Sequence, residues 1–295
     1  MDRMRFSTIA HATHKFCNPI GEAQITTMLD RLDLASNQRV IDIGCGKAEL
    51  LVRLVDQYGC VGTGIDINEE FLREAAKRVR ASRYPTRIEL RQVTAKETIE
   101  AALQYDLSVC VGSSQCFGLY RDAINALVAI TRGEGLILIG EGYWRRHPDQ
   151  VYLDYLGATE EELLTHSGNI DVGSEAGLMP LCSCVSDEND WDVYEEAYHA
   201  NVVRYFDSHP MDPDRAAMLE RIASWNRHYR LYGRETLGFA LYLFKKAGLD
   251  FLRESAETTI DGTVFGYEER ALITHHSLPC HDPDHPLTGH FSNVG

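Results

Sequence analysis

The sequence predicts a doubly wound α/β sheet. Three observations carry that reading: short β-rich apolar runs recur along the first 140 residues, stretches of helical period separate them, and a glycine turn joins the first run to its helix. A first helix is expected over residues 22–32 and a strand over 39–43. Leu50, Leu51, Leu54 and Val55 then give the next helix an apolar face, with Gly59 placed for a C-terminal cap. Residues 61–65 form the second strand, closed by Asp66. Asn68 caps a helix whose inner face is Phe71, Leu72, Ala75, Ala76 and Val79. Residues 88–93, 106–111 and 136–140 make strands three to five, and Ile124, Leu127 and Val128 mark the helix before the fifth.

Beyond residue 140 the alternation changes. A sixth strand (178–185) is followed by two helices before a seventh strand (237–244). The first helix places Trp191, Tyr194, Tyr198, Val202 and Tyr205 at three- and four-residue steps. The second begins at an Asp212-Pro213 cap and places Met218, Ile222, Trp225, Tyr229 and Tyr232 likewise. Such stripes either pack on one another and the sheet or close over a ligand, and both hold if the inner turns line a pocket. The division expected is a core of 1–187 and 234–246, a helical cap of 188–233 and a C-terminal extension of 247–295.

Composition narrows the function. With 295 residues the chain can bury a sizeable core, and 29 Lys and Arg against 44 Asp and Glu give a formal net charge of −15. No basic run could track a phosphate backbone, so nucleic acid and anionic membrane are poor partners. No stretch reaches 18 apolar residues, and the N-terminus lacks the apolar centre of a secretion signal, so a soluble cytoplasmic protein is expected. The eight scattered cysteines read as reduced thiols.

The turn VIDIGCGKAEL (40–50) carries the chemistry. A strand that ends in Asp42-Ile43 and enters a helix through Gly44 and Gly46 brings backbone N–H groups to the carboxyl edge of the sheet, where ligands bind in such folds. Asp66, 20 residues past Gly46, can accept hydrogen bonds from a ribose. A nicotinamide dinucleotide and S-adenosylmethionine both carry adenosine, and the third glycine of G-x-G-x-x-G separates them. That position is Glu49, which would oppose a pyrophosphate. An amino acid end instead offers an ammonium to Asp42.

Together, VIDIGCGKAEL, the strand-end Asp66 in GTGIDIN and the seven-strand order resemble class I S-adenosylmethionine-dependent methyltransferases over roughly residues 15–245. The resemblance implies a Rossmann-like seven-stranded methyltransferase sheet, with the two-helix cap inserted between strands 6 and 7. It implies S-adenosyl-L-methionine as cofactor, with Asp42, Gly44 and Gly46 around the methionine portion, Asp66 and Ile67 at the ribose, Thr94 and Ala95 near the adenine, and Gly112 and Ser113 touching the cofactor again. Ala48 stands where many relatives have a further glycine. More narrowly, FCNP (16–19), GSSQCFG (112–118), GEGYW (140–144) and RETLGFALYLF (234–244) resemble a bacterial group of mostly unassigned substrate. Gln115 falls where that group commonly has histidine.

In-line transfer from a sulfonium mainly needs alignment and exclusion of water. The acceptor expected is a small molecule. Glu141 at the end of the fifth strand is the candidate base or anchor, the alternative being a plain hydrogen bond to backbone. Tyr143, Trp144, Trp225, Tyr229, Tyr232 and Gln115 are candidate acceptor contacts. Phe16 and Asn18 either fold over the cofactor as a second lid or mark a helix entry at Pro19. Cys182 and Cys184 share one strand face and read as small buried apolar groups. The tail suggests a hairpin and then the histidine-rich HHSLPCHDPDHPLTGH, whose spacing matches no zinc pattern, so a mobile terminus is preferred and no metal is assigned. A non-catalytic S-adenosylmethionine-binding protein and a methyltransferase of protein or nucleic acid remain as alternatives.

Overall fold

The computed structural model describes residues 2–247. The hairpin and histidine-rich run expected in the C-terminal extension lie outside them. Parallel strands β1 (Arg39–Ile43), β2 (Val61–Ile65), β3 (Ile88–Arg91), β4 (Tyr105–Val111) and β5 (Thr131–Trp144) alternate with helices, and the antiparallel β6 (Leu178–Val185) and β7 (Leu237–Lys246) complete one sheet in the order β3-β2-β1-β4-β5-β7-β6. Helix α1 is Arg3–Ala10, α2 Glu22–Leu29, α3 Glu49–Tyr58, α4 Glu69–Ala81, α5 Ala95–Glu100, α6 Tyr120–Ile130, α7 Gln150–Leu156, α8 His166–Glu175, α9 Glu188–Ser208 and α10 Arg215–His228.

Local signals set these boundaries. Asn68 accepts from the N–H groups of Glu70 and Phe71 at the start of α4, and Asp187 and Asp190 form a reciprocal capping box at the start of α9. Gly59 ends α3 in the left-handed conformation. Strand β5 is longer than residues 136–140 because β7 pairs with it without a break from Leu136 to Trp144.

The pleat divides the interior into two cores. Val40, Leu107, Val109, Val111 and Leu138 face α2, α3 and the cap, whereas Ile41, Ile43, Cys110, Ile137 and Ile139 face α6 and α8. The stripes of α9 and α10 enter the first core. Trp191, Tyr198 and Phe206 are at most 1% exposed, and Met218, Ile222, Trp225 and Tyr229 are buried with them. Phe6, Ile9 and Ala10 of α1 pack there too, Phe6 edge-on to Tyr198 at 6.0 Å. Helix α1 was not expected, because RMRFSTIA has too weak an apolar period to be read locally.

Since Trp191 is a core residue rather than a surface contact of a loose lid, Trp191→Ala should cost about 3–5 kcal/mol in urea unfolding. A loss below 1 kcal/mol would show that the cap packs less tightly than this.

Candidate functional site

Strand β1 lies between β2 and β4, with Asp42 opposite Gly64 and Val109. Its end is the point where the strand order reverses, so the turn after it opens onto the sheet's carboxyl edge. Gly44 and Gly46 adopt φ of 68° and 52°, as a tight left-handed turn requires. Ala48 follows at φ 55°, fully buried at the N-terminus of α3. A side chain in that region costs roughly 1–2 kcal/mol.

A narrow cleft opens at the turn. Asp42, Gly44, Gly46 and Val111 line one side, and Phe16, Cys17 and Asn18 line the other. The Asp42 side chain is 3% exposed and makes no hydrogen bond or ion pair among the described residues. Burial, aided by the neighbouring Asp66 charge, pushes its carboxyl up to about 8. An isolated carboxyl of this kind suits a cationic ligand group. The Asn18 Oδ1 atom is also buried without a partner, and Asn18 lies against Gly112, where a Cβ would come within 3.3 Å of its own.

Two contacts hold the turn. From below, Asp66 Oδ2 accepts from the Gly46 N–H at 2.8 Å and Oδ1 from the Asn68 N–H at 2.7 Å. From above, Lys47 Nζ donates to the carbonyls of His11, Ala12 and His14 at 2.6, 3.1 and 3.1 Å. Lys47 thereby binds residues 11–18 across the turn as a strap. Pro19 precedes α2 without entering its first turn, since Gly21 is the cap. Lys47 escaped sequence reasoning because its partners are backbone carbonyls 33 to 36 residues away.

The remaining candidates are distributed as follows. The Asp66 carboxylate is 2% exposed and already serves two backbone N–H groups, so its first task is to brace the turn. Ile67 lines a second opening of about 470 Å³, together with Thr8, Asn68, Gln92 and Tyr205. Thr94 caps α5 through a reciprocal pair with Glu97, and Ala95 is buried in its first turn. Ser113 Oγ donates to the Ile43 carbonyl at 2.8 Å and ties the fourth-strand loop to β1. Gln115 follows in a 3-10 turn, with its Nε2 buried and unpartnered.

The expectation for Glu141 needs correction. Along β5, Ile137, Ile139 and Tyr143 face α6 and α8, so Glu141 points to the same side, opposite to Asp42. There its Oε1 accepts from the Gly142 N–H at 2.9 Å, its Oε2 is buried without a partner, and burial pushes its carboxyl up to about 7. Tyr143 shares that face, edge-on to His166. Among the aromatic candidates, Trp144 is on the cleft's face but donates Nε1 to the Glu160 carbonyl. Trp225 Nε1 donates to Glu195 Oε2 at 2.7 Å, Tyr229 Oη donates to Asp192 at 3.0 Å, and Tyr232 stacks on Tyr152. These side chains are engaged in packing.

Cys182 and Cys184 are half-buried, the former against Met28, and the seven described cysteines are free thiols. Among the described residues no group of three His, Cys, Asp or Glu side chains gathers as for a metal, and no helix is long and apolar enough to cross a membrane.

Residues 40–135 match the family model described as methyltransferase domain. The chain is 26% identical over 244 residues to the uncharacterized protein YjhP of Escherichia coli (strain K12), covering 82% of this chain and 98% of that protein. The X-ray structure of YjhP superposes with a TM-score of 0.75. An S-adenosylmethionine-dependent methyltransferase from Geobacter sulfurreducens, solved with S-adenosyl-L-homocysteine, is 27% identical with a TM-score of 0.76, over 81% of this chain and 97% of its own. One from Thiobacillus denitrificans, solved with the same ligand, is 26% identical with a TM-score of 0.75, over 83% and 99%. These likenesses bear out the resemblance to class I methyltransferases and the seven-stranded Rossmann-like sheet that it implied.

Lys47→Met removes the strap's anchor and leaves buried carbonyls without a donor. The expected loss is about 2–4 kcal/mol of stability, with trypsin cutting after Lys15 at least tenfold faster. Unchanged stability and cleavage would show that the strap is held by other contacts.

Proposed function

We propose that this S-adenosylmethionine-dependent methyltransferase acts on a small molecule held beneath the two-helix cap of α9 and α10. The observation that carries the reading is Asp42, a desolvated carboxyl group at a left-handed glycine turn, facing a cleft closed by the strap. When bound, S-adenosylmethionine supplies a methyl group on a positively charged sulfur.

The chain's own residues do the rest. Asp42 receives the ammonium of the amino acid end, and Gly44 and Gly46 let that end approach the backbone. Asp66 keeps the turn preorganised through the Gly46 N–H, leaving Ile67 and the opening beside it to the ribose and adenine. Gly112, Ser113, Phe16 and Asn18 enclose the reacting end, and Gln115 adds a buried donor. Positioning of this kind supplies roughly 7–11 kcal/mol of barrier reduction in favourable cases, and the packed cap and strap exclude water. Glu141 lies on the far side of the sheet from Asp42, and its role in this reading is to hold the Gly142 N–H rather than to take a proton from the acceptor.

The core of 1–187 and 234–246, with the cap inserted, is the working unit, and the cytoplasm is its site of action, in keeping with seven free thiols. A formal net charge of −15 supports a small acceptor over nucleic acid.

S-adenosyl-L-homocysteine at a hundred times its Kd should stabilise the protein by about 2.7 kcal/mol, read as a thermal shift. Asp42→Asn should weaken that ligand at least tenfold, while Glu141→Gln stays within threefold. A shift with NAD and none with the homocysteine ligand would contradict the assignment.

A further inference from the structure

The rim of the cleft at the glycine turn carries a chain of alternating charges. It is centred on Glu49, the first residue of α3 and part of the cleft wall. The Glu49 side chain is 15% exposed, and each carboxylate oxygen accepts from a different guanidinium: Oε1 from Arg53 Nε at 2.8 Å and Oε2 from Arg78 Nε at 2.6 Å. The two arginines then diverge. Arg78, from α4, also donates to the Lys47 carbonyl and so holds the backbone of the turn. Arg53 lies over the Phe16 ring, 5.1 Å from its centroid, and pairs with Glu22 Oε2 at 3.0 Å. Glu22, at the start of α2, pairs in turn with Lys15 Nζ at 2.6 Å. Lys15 and Phe16 belong to the strap and line the cleft.

Two kinds of bond thus close the strap. Lys47, 6% exposed, holds the carbonyls of His11, Ala12 and His14 where salt screens little. The charge chain holds Lys15 and Phe16 through groups that salt reaches, since Lys15 and Glu22 are 56% and 55% exposed. An exposed pair such as Lys15 with Glu22 contributes little alone. Glu49 is the link on which both branches depend, because loss of its charge frees Arg53 from below Phe16 and Arg78 from beside the turn together. We propose that Glu49 is a positioning residue for methyl transfer: through Arg53 it seats Phe16 against the bound cofactor, through Arg78 it fixes the turn, and release of the demethylated cofactor requires this charge chain to part. The proposal rests on the reading of the cleft as the S-adenosylmethionine site and adds how that site is closed and opened.

The test is the rate at which bound, tritiated S-adenosyl-L-homocysteine is chased by excess unlabelled ligand, at about 20 mM and about 500 mM sodium chloride, where screening is weak and strong. The wild-type rate should rise about fivefold between the two. Glu49→Gln should release the ligand about tenfold faster at low salt, with its salt response reduced to less than about twofold. Arg53→Met should also release faster than the wild type, and adding it to Glu49→Gln should change the rate by less than about twofold, because both act through one chain. Arg121→Gln, which breaks an exposed pair with Glu175 elsewhere, should keep the wild-type rate and salt response. The Asp42 contact is common to every protein compared and drops out. A wild-type rate indifferent to salt, a Glu49→Gln rate equal to it, or the same salt response in both would overturn the proposal. Should Glu49→Gln fail to fold, Arg53→Met decides, and a rate equal to that of the wild type overturns it. A wild type that retains no labelled ligand would overturn the reading of the cleft, and this proposal with it.

Discussion

The site depends on a carboxyl group placed where water cannot solvate it. Asp42 lies one residue before the end of a strand with neighbours on both sides, so its side chain is carried into the cleft at 3% exposure with no cation among the described residues to neutralise it. Burial of this kind is costly unless the group is protonated or meets a positive partner. The fold tolerates that cost because the turn beyond is fixed twice, by Asp66 on the Gly46 N–H and by Lys47 on the strap carbonyls. A carboxyl with no place to relax is preorganised for a ligand's ammonium.

The two faces of the sheet then divide the labour. On one side, Asp42, the strap, α1 and the cap form a continuous aromatic and apolar enclosure. On the other, Glu141, Tyr143, Tyr242 and Asn169 form a polar cluster with α6 and α8, where Asn169 Nδ2 donates to the Gly142 carbonyl and to Tyr242 Oη. Pleat parity places chemically similar residues on opposite sides at almost the same height. The cap is accordingly a part of the core.

Much of the fold was legible in the sequence. The runs at 39–43, 61–65 and 178–185 coincide with β1, β2 and β6, because β-rich segments between turn residues leave little freedom in where a strand begins and ends. The glycine turn and Asn68 cap were legible for the same local reason. The facing of Glu141 was not, since its direction follows from the unbroken β5–β7 ladder rather than from its neighbours in the chain. Nor was the bracing role of Asp66, which a strand-end acid does not reveal until the Gly46 N–H is seen to point at it. Lys47, His14 and Glu195 became visible only when α1, the strap and α9 were brought together, contacts separated by up to 200 residues as between Arg5 and Tyr205.

The central claim is that Asp42 waits as a buried acid and ionises against the ligand's ammonium. With its carboxyl at about 8, most molecules hold that proton at pH 7, and a bound cation favours its loss. Calorimetry of S-adenosyl-L-homocysteine binding at pH 7, in buffers of different ionisation heat, should therefore report release of about one proton per molecule bound. Binding with no proton released would contradict the account.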